Sequence, residues 1–196
     1  VPQLLPSDMQ TLFAGAPVAG GAIAVIAPGT GLGESFLTWD GSAYVAQASE
    51  GGHASFAPTS PVEIELLRYL EERYEHVSCE RACSGSGIPD LYDFLKQSEA
   101  APASPEMAAR LAAADDRTPL VLQAGLDSPE SCSLCAATLR LFISILGAEA
   151  GNLALKVLAT GGLYLGGGIP RRILPALENG RFLEALRRKG RMTGLL

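Results

Sequence analysis

The chain has 196 residues, 47% of them hydrophobic and 18% charged, with 15 Lys+Arg against 21 Asp+Glu and a net charge of -6. That length can bury a sizeable core, and the composition excludes a disordered tail or a coiled coil. The acidic balance offers no basic footprint for nucleic acid and no polybasic membrane patch, so neither is expected as a partner.

Residues 1–20 are punctuated by Pro2, Pro6 and Pro17 and read as a lead-in, with room for a short helix around Ser7–Phe13. Met9 to Gly33 carries no charge. A bilayer helix needs about 20 predominantly apolar residues, and Pro17, Pro28 and repeated glycines break this stretch. It is therefore a loop followed by a buried strand, Ala22–Ala27, stopped by Pro28-Gly29. No basic region followed by an apolar one opens the chain as a secretory signal would. The first residue is Val, so the sequence is expected to be a piece of something longer.

Phe36–Trp39 and Ala43–Ala48 predict two strands joined at Asp40-Gly41, a strong hairpin signal. Ser60-Pro61-Val62-Glu63 then supplies an N-cap, a first-turn proline and a capping-box Glu. The helix it opens carries an i, i+4 stripe of Val62, Leu66, Leu70 and Tyr74. A Ser84–Gly87 turn precedes a helix over about Asp90–Lys96, and residues 98–105 form a surface linker to an alanine-rich helix, Glu106–Ala114. Thr118–Leu126 fits helix or strand. Ser128-Pro129 is expected to start a helix ending near Gly147, with another over Glu149–Ala159. Leu163–Leu165 is a short strand between glycine clusters, and helices over Arg171–Leu177 and Phe182–Lys189 follow. Strands first, then helices with one late strand, indicate a mixed α/β layer architecture.

Four cysteines are too few and too clustered for a disulfide scaffold. Cys132 and Cys135 raise the question of zinc, but they share a helical stripe with Ala136, Leu139, Ile143 and Leu146. Free Cys behaves as a small hydrophobe in such a stripe. A buried core without metal, in a reduced cytoplasmic protein, is the simpler expectation.

Three sites can carry chemistry. Pro28-Gly29-Thr30-Gly31-Leu32-Gly33 follows a strand, and glycines there let backbone N–H groups turn towards an anion. The loop lacks the Gly-Lys-Ser/Thr of a P-loop and the spacing of a dinucleotide fingerprint, so alone it is equally an ordinary tight turn. Glu50-Gly51-Gly52-His53 places a carboxylate and an imidazole where they can converge on one small ligand, or on solvent. Glu80 is a third candidate, although an isolated Glu is usually just exposed.

In combination, IAVIAPGTGLG (23–33), EGGHASFAP (50–58), HVSCERACSGSG (76–87), GAEAGNLALK (147–156), GGLYLGGGIPR (161–171) and KGR (189–191) resemble the bacterial-type glucokinase family. The resemblance implies the large domain of an actin/hexokinase-like (ribonuclease H-like) two-domain α/β fold, transferring the γ-phosphoryl of ATP, with Mg2+, to the 6-hydroxyl of glucose. Carried over by motif, Glu50, His53 and Glu80 are sugar ligands. Gly29, Thr30, Gly31 and Gly33 are the second phosphate loop, and Gly161, Gly162, Gly166, Gly167 and Gly168 the glycine-rich adenosine region. Related sugar kinases and repressors carry a cysteine-rich zinc motif that Glu80–Gly87 lacks.

The family's first phosphate loop and its Asn-Asp pair, whose Asp is the general base, are missing from the chain. That Asp is expected upstream of Val1, and a last strand and helix beyond Leu196. The chain is thus expected to be most of a glucokinase large domain that alone is inactive; the resemblance also allows a homodimer. A non-catalytic sugar- or nucleotide-binding module of this fold, or a kinase for another hexose, stays open.

Overall fold

Alternation of apolar and small residues on either side of a glycine turn builds the sheet. The computed structural model describes residues 1–196 except 2, 103, 128, 129 and 131. Strand β1 (Ile23–Pro28) runs antiparallel to β2 (Leu32–Trp39), which pairs antiparallel with β3 (Tyr44–Gln47). β2 begins four residues earlier than the Phe36 the sequence indicates. Gly31-Leu32-Gly33-Glu34 has no strand pattern of its own, but the tight turn at Gly29 brings it into register with Ala27 and Pro28. In the β2–β3 hairpin, Asp40 Oδ1 accepts the N–H groups of Ser42 (2.7 Å) and Ala43 (2.8 Å), and Gly41 takes φ +104°. Only glycine enters that region without strain.

Helices α1 (Pro61–Glu71), α2 (Cys79–Ala82), α3 (Ile88–Gln97), α4 (Pro105–Ala112), α5 (Thr118–Asp127) and α6 (Ser133–Lys156) come next in the chain. Strand β4 (Gly162–Leu165) then adds parallel to β1, giving the order β3-β2-β1-β4. Helices α7 (Gly168–Arg172), α8 (Leu174–Leu177) and α9 (Arg181–Arg187) follow. Because β1 and β4 are parallel, Pro28–Gly33 and Gly166–Gly168 emerge at the same end of the sheet.

The core is built around α6, buried along nearly its whole length. It is one helix of 24 residues, where the sequence reads as two. It is also the one helix among the described residues long and apolar enough to cross a membrane, and 83% of its most apolar window is buried inside the fold. The stripe of Cys135, Ala136, Leu139, Ile143 and Leu146 is buried as its spacing predicts. The expected Ser128-Pro129 start lies outside the described residues. At the described end Cys132 is the N-cap, and its sulfur accepts the N–H of Cys135 (3.4 Å).

Three local expectations are corrected. Cys132 and Cys135 are disulfide-bonded rather than free, since the cap turns one sulfur over the first helical turn towards the other; Cys79 and Cys83 remain free and buried. Ser60 is the N-cap of α1 but makes no side-chain cap; Glu63 reaches past it to the N–H (2.6 Å) and hydroxyl (2.9 Å) of Thr59. The buried face of α1 is accordingly Glu63, Leu66, Tyr69 and Leu70, with Tyr69 against Phe94 of α3 and Val62 exposed. Third, the expected helix around Ser7–Phe13 is a short 3-10 turn, Pro6–Asp8, the one helical element among the described residues of the lead-in.

Candidate functional site

Glu50, His53 and Glu80 come together. A 3-10 turn, Gly51–His53, presses its glycines on β2: a Cβ on Gly51 would overlap Glu34, and one on Gly52 would overlap the Leu32 carbonyl. The chain leaving this turn pairs with the residues that open α2. Ser55 bridges Ser78, the N–H of Phe56 donates to Val77 O (2.9 Å), and that of Cys79 donates to Ala54 O (2.8 Å). Ser78 caps α2 by accepting from the Arg81 N–H, which sets Glu80 in the first helical turn. His53 therefore lies between two carboxylates, with Nε2 3.8 Å from Glu50 Oε2 and Nδ1 4.0 Å from Glu80 Oε1. Glu50 is nearly fully exposed, His53 largely so, and Glu80 only about a quarter. These side chains offer acceptors and one imidazole around an open mouth, a donor–acceptor set suited to a polyhydroxy ligand.

The same glutamate reaches the glycine loop. Glu80 Oε2 accepts the N–H of Leu32 (2.9 Å), and a Cβ on Gly31 would overlap this carboxylate. The Ser84–Gly87 turn pins the loop from the other side. Gly85 N–H donates to Gly29 O (2.7 Å) and Ser86 N–H to Thr30 O (3.1 Å), while the buried Thr118 hydroxyl donates to Gly85 O (2.7 Å). Sequence reading named Ser84–Gly87 only as a turn. Its Gly-Ser-Gly composition directly after Glu80 was the available signal, since a side chain at Gly85 would meet Gly29 O at 2.7 Å.

Gly166–Gly168 complete this end of the sheet. Gly166 N–H donates to Ile26 O (2.8 Å), and Gly167 holds φ +81° beside Pro28 O. Open space lies where a Cβ would be at Gly29 and at Gly168, and the exposed Thr30 hydroxyl makes no hydrogen bond among the described residues. The result is a backbone-lined cradle at the carboxyl ends of β1 and β4, the position where open α/β sheets bind ligands. Gly161 and Gly162 do not reach it. They lie at the opposite end of β4, about 10 Å away at 3.3 Å per residue, where Gly161 N–H donates to Ala22 O (2.8 Å) and its Cα packs on Gly21. Gly161 has no side chain where it packs on the Gly21 carbonyl, and Gly162 holds φ +125°.

Behind the His53 turn, Glu34 is buried, and desolvation pushes its carboxyl up to about 7, with Glu149 adding to the effect and Lys156 opposing it. Burial also holds the thiols of Cys79 and Cys83 well above their ordinary range, so neither is a nucleophile at neutral pH.

A family model described as Glucokinase matches residues 1–196. The chain belongs to the glucokinase family. It is 43% identical to a glucokinase of Trichormus variabilis, covering 98% of this chain and 59% of that one. The solved structure of a glucokinase from an Antarctic psychrotroph superposes with a TM-score of 0.80 at 34% identity, over 98% of this chain and 56% of its own. A glucokinase from Balamuthia mandrillaris, solved in complex with glucose, shares the fold with a TM-score of 0.73 at 23% identity, over 90% of this chain and 48% of its own. The chain thus spans little more than half the length of its glucokinase relatives, and its architecture is the actin/hexokinase-like fold of these sugar kinases.

Proposed function

We propose that the protein is a cytoplasmic ATP-dependent glucokinase and that this chain supplies most of its large domain. The observation that carries the reading is Glu80 bridging two sites. One carboxylate oxygen faces His53 and the other accepts the Leu32 N–H at the end of the glycine loop. A sugar held by Glu50, His53 and Glu80 is thereby fixed relative to phosphates held by Gly29–Gly33 and Gly166–Gly168.

Phosphoryl transfer is mostly positioning and electrostatic stabilisation. ATP supplies the phosphoryl group. The backbone cradle and the Thr30 hydroxyl fit a polyphosphate, because small residues expose N–H groups without a side chain in the way. Mg2+ would arrive with ATP and keep water and phosphate oxygens as ligands. Glu50, His53 and Glu80 orient the sugar ring by its hydroxyls, and a site built on such hydrogen bonds rejects analogues that leave its polar groups unpaired. The general base that takes the 6-hydroxyl proton comes, in this proposal, from an Asp of a smaller domain upstream of Val1.

The test is glucose 6-phosphate formation by the full-length protein, with mannose and fructose as competitors, beside the 196-residue chain alone. Glucose should be the preferred sugar, and the isolated chain should be slower by at least about 10²-fold, the lower range for loss of a general base. No turnover of any hexose by the full-length protein, or equal turnover of fructose, would reject the glucokinase reading. Comparable rates in the two polypeptides would place the base within these residues.

A further inference from the structure

The Glu50–His53 turn rests on a buried carboxylate that no step of the proposed reaction uses. Glu34, on β2, is only 6% exposed. Its Oε1 is buried with no hydrogen-bond partner among the described residues, and its Oε2 lies directly under Gly51. Charged and titratable groups surround it on each side. From α6 come Glu149, 4% exposed, and Lys156; from α2 and the residue after it come the Cys79 and Cys83 thiols; the turn itself carries Glu50 and His53.

Lys156 opposes the rise of the Glu34 carboxyl from a distance, but the cation contacts among the described residues go to the Glu149 side. Lys156 Nζ is 3.7 Å from Glu149 Oε1. Glu149 Oε2 accepts from Asn152 (2.9 Å), whose Oδ1 in turn accepts from Lys189 Nζ (2.6 Å). Glu34 is left facing a second carboxylate without a donor of its own. A buried carboxylate in that position is tolerated neutral and is costly when charged.

We propose that Glu34 is a positioning residue for glucose binding: its neutral form lets the Glu50–His53 turn pack on β2, and its ionised form lifts that turn and weakens the sugar site. The proposal rests on the reading of Glu50, His53 and Glu80 as sugar ligands. Desolvation and the facing Glu149 raise the Glu34 carboxyl to about 7, so the two forms exchange near neutral pH.

The test uses the full-length protein and E34Q, whose amide is an isosteric stand-in for the neutral acid. The glucose KM of the wild type should rise roughly three- to tenfold between about pH 6 and pH 8.5, through the range where this carboxyl ionises, with much less change in the ATP KM. In E34Q the glucose KM should stay near its low-pH value. His53 and the other groups of the sugar site are present in both proteins, so a flattened profile in E34Q assigns the effect to Glu34.

Stability supplies a readout independent of glucose. A carboxyl raised in the folded state stabilises it at low pH and loses that contribution as pH climbs towards the folded value. The melting temperature of E34Q should therefore exceed that of the wild type by a margin that widens from about pH 5 to about pH 8. Turnover with the same glucose KM profile in both proteins, or a pH-independent melting difference, would overturn the role of Glu34 alone. No glucose turnover or binding at any pH would instead reject the glucokinase reading, and this proposal with it.

Discussion

Glu80→Gln and Glu80→Ala in the full-length protein should separate two roles of one carboxylate. Hydrogen bonds to a charged group contribute about 1.5–3 kcal/mol, which corresponds to roughly 10–150-fold in affinity. Either substitution removes the charge facing His53, so both should raise the glucose KM within that range. They differ at the other oxygen. An amide carbonyl still accepts the Leu32 N–H that Glu80 Oε2 accepts at 2.9 Å, so Gln should leave the glycine loop tethered and the ATP KM close to the wild-type value. Alanine leaves that N–H without its acceptor, at a cost of about 1–3 kcal/mol if it stays buried. The ATP KM should then rise as well, roughly tenfold, as the loop loosens. Steady-state kinetics with each substrate varied in turn distinguish the outcomes. Equal effects of the two substitutions on the ATP KM would remove Glu80 from the loop, and an unchanged glucose KM would remove it from the sugar site.

Much of this arrangement was legible in the sequence because its parts are local. Asp40-Gly41 specifies its hairpin by turn chemistry, and Gly29-Thr30-Gly31 reads as a turn after a strand whatever surrounds it. The three candidate sugar ligands were found through motifs; their meeting depends on the Ser55–Ser78 bridge, which pairs residues 23 positions apart and has no sequence period. The fate of Glu34 was illegible for a related reason. It precedes the strand that the sequence indicates, in a stretch with no strand pattern of its own, and only the packing of α6 and the His53 turn buries it. Gly161 and Gly162 are grouped with Gly166–Gly168 by motif, and only the fold shows that they lie at the other end of β4.

Gly147→Ala should destabilise the protein although it improves helix propensity. In the interior of an exposed helix, replacing Gly by Ala gains about 0.8–1.0 kcal/mol. Gly147 lies in the middle of α6, which is why a glycine there reads in sequence as a break between two helices. The helix continues because α9 crosses it closely. A Cβ on Gly147 would overlap the Phe182 carbonyl and stand 2.9 Å from Ala185 Cβ, and one on Gly151 would overlap the Leu186 carbonyl. The obstacles are backbone atoms and a short side chain, so nothing flexible can swing aside. Overpacking of a tight interface costs about 1–3 kcal/mol, occasionally more, which exceeds the propensity gain. Net losses of about 1–2 kcal/mol in a domain of this size lower the melting temperature by roughly 2–8 °C. Gly147→Leu, with three more carbons to place, should lower it further or abolish folding. Gly180 supplies the control: its Cβ would meet open space, but φ +89° is strained for any L side chain. Gly180→Ala should therefore cost about 1–2 kcal/mol through backbone strain alone, with no added penalty for a larger side chain. Thermal unfolding of these three variants checks both mechanisms. A rise in melting temperature for Gly147→Ala would mean that α6 and α9 are not held at this distance.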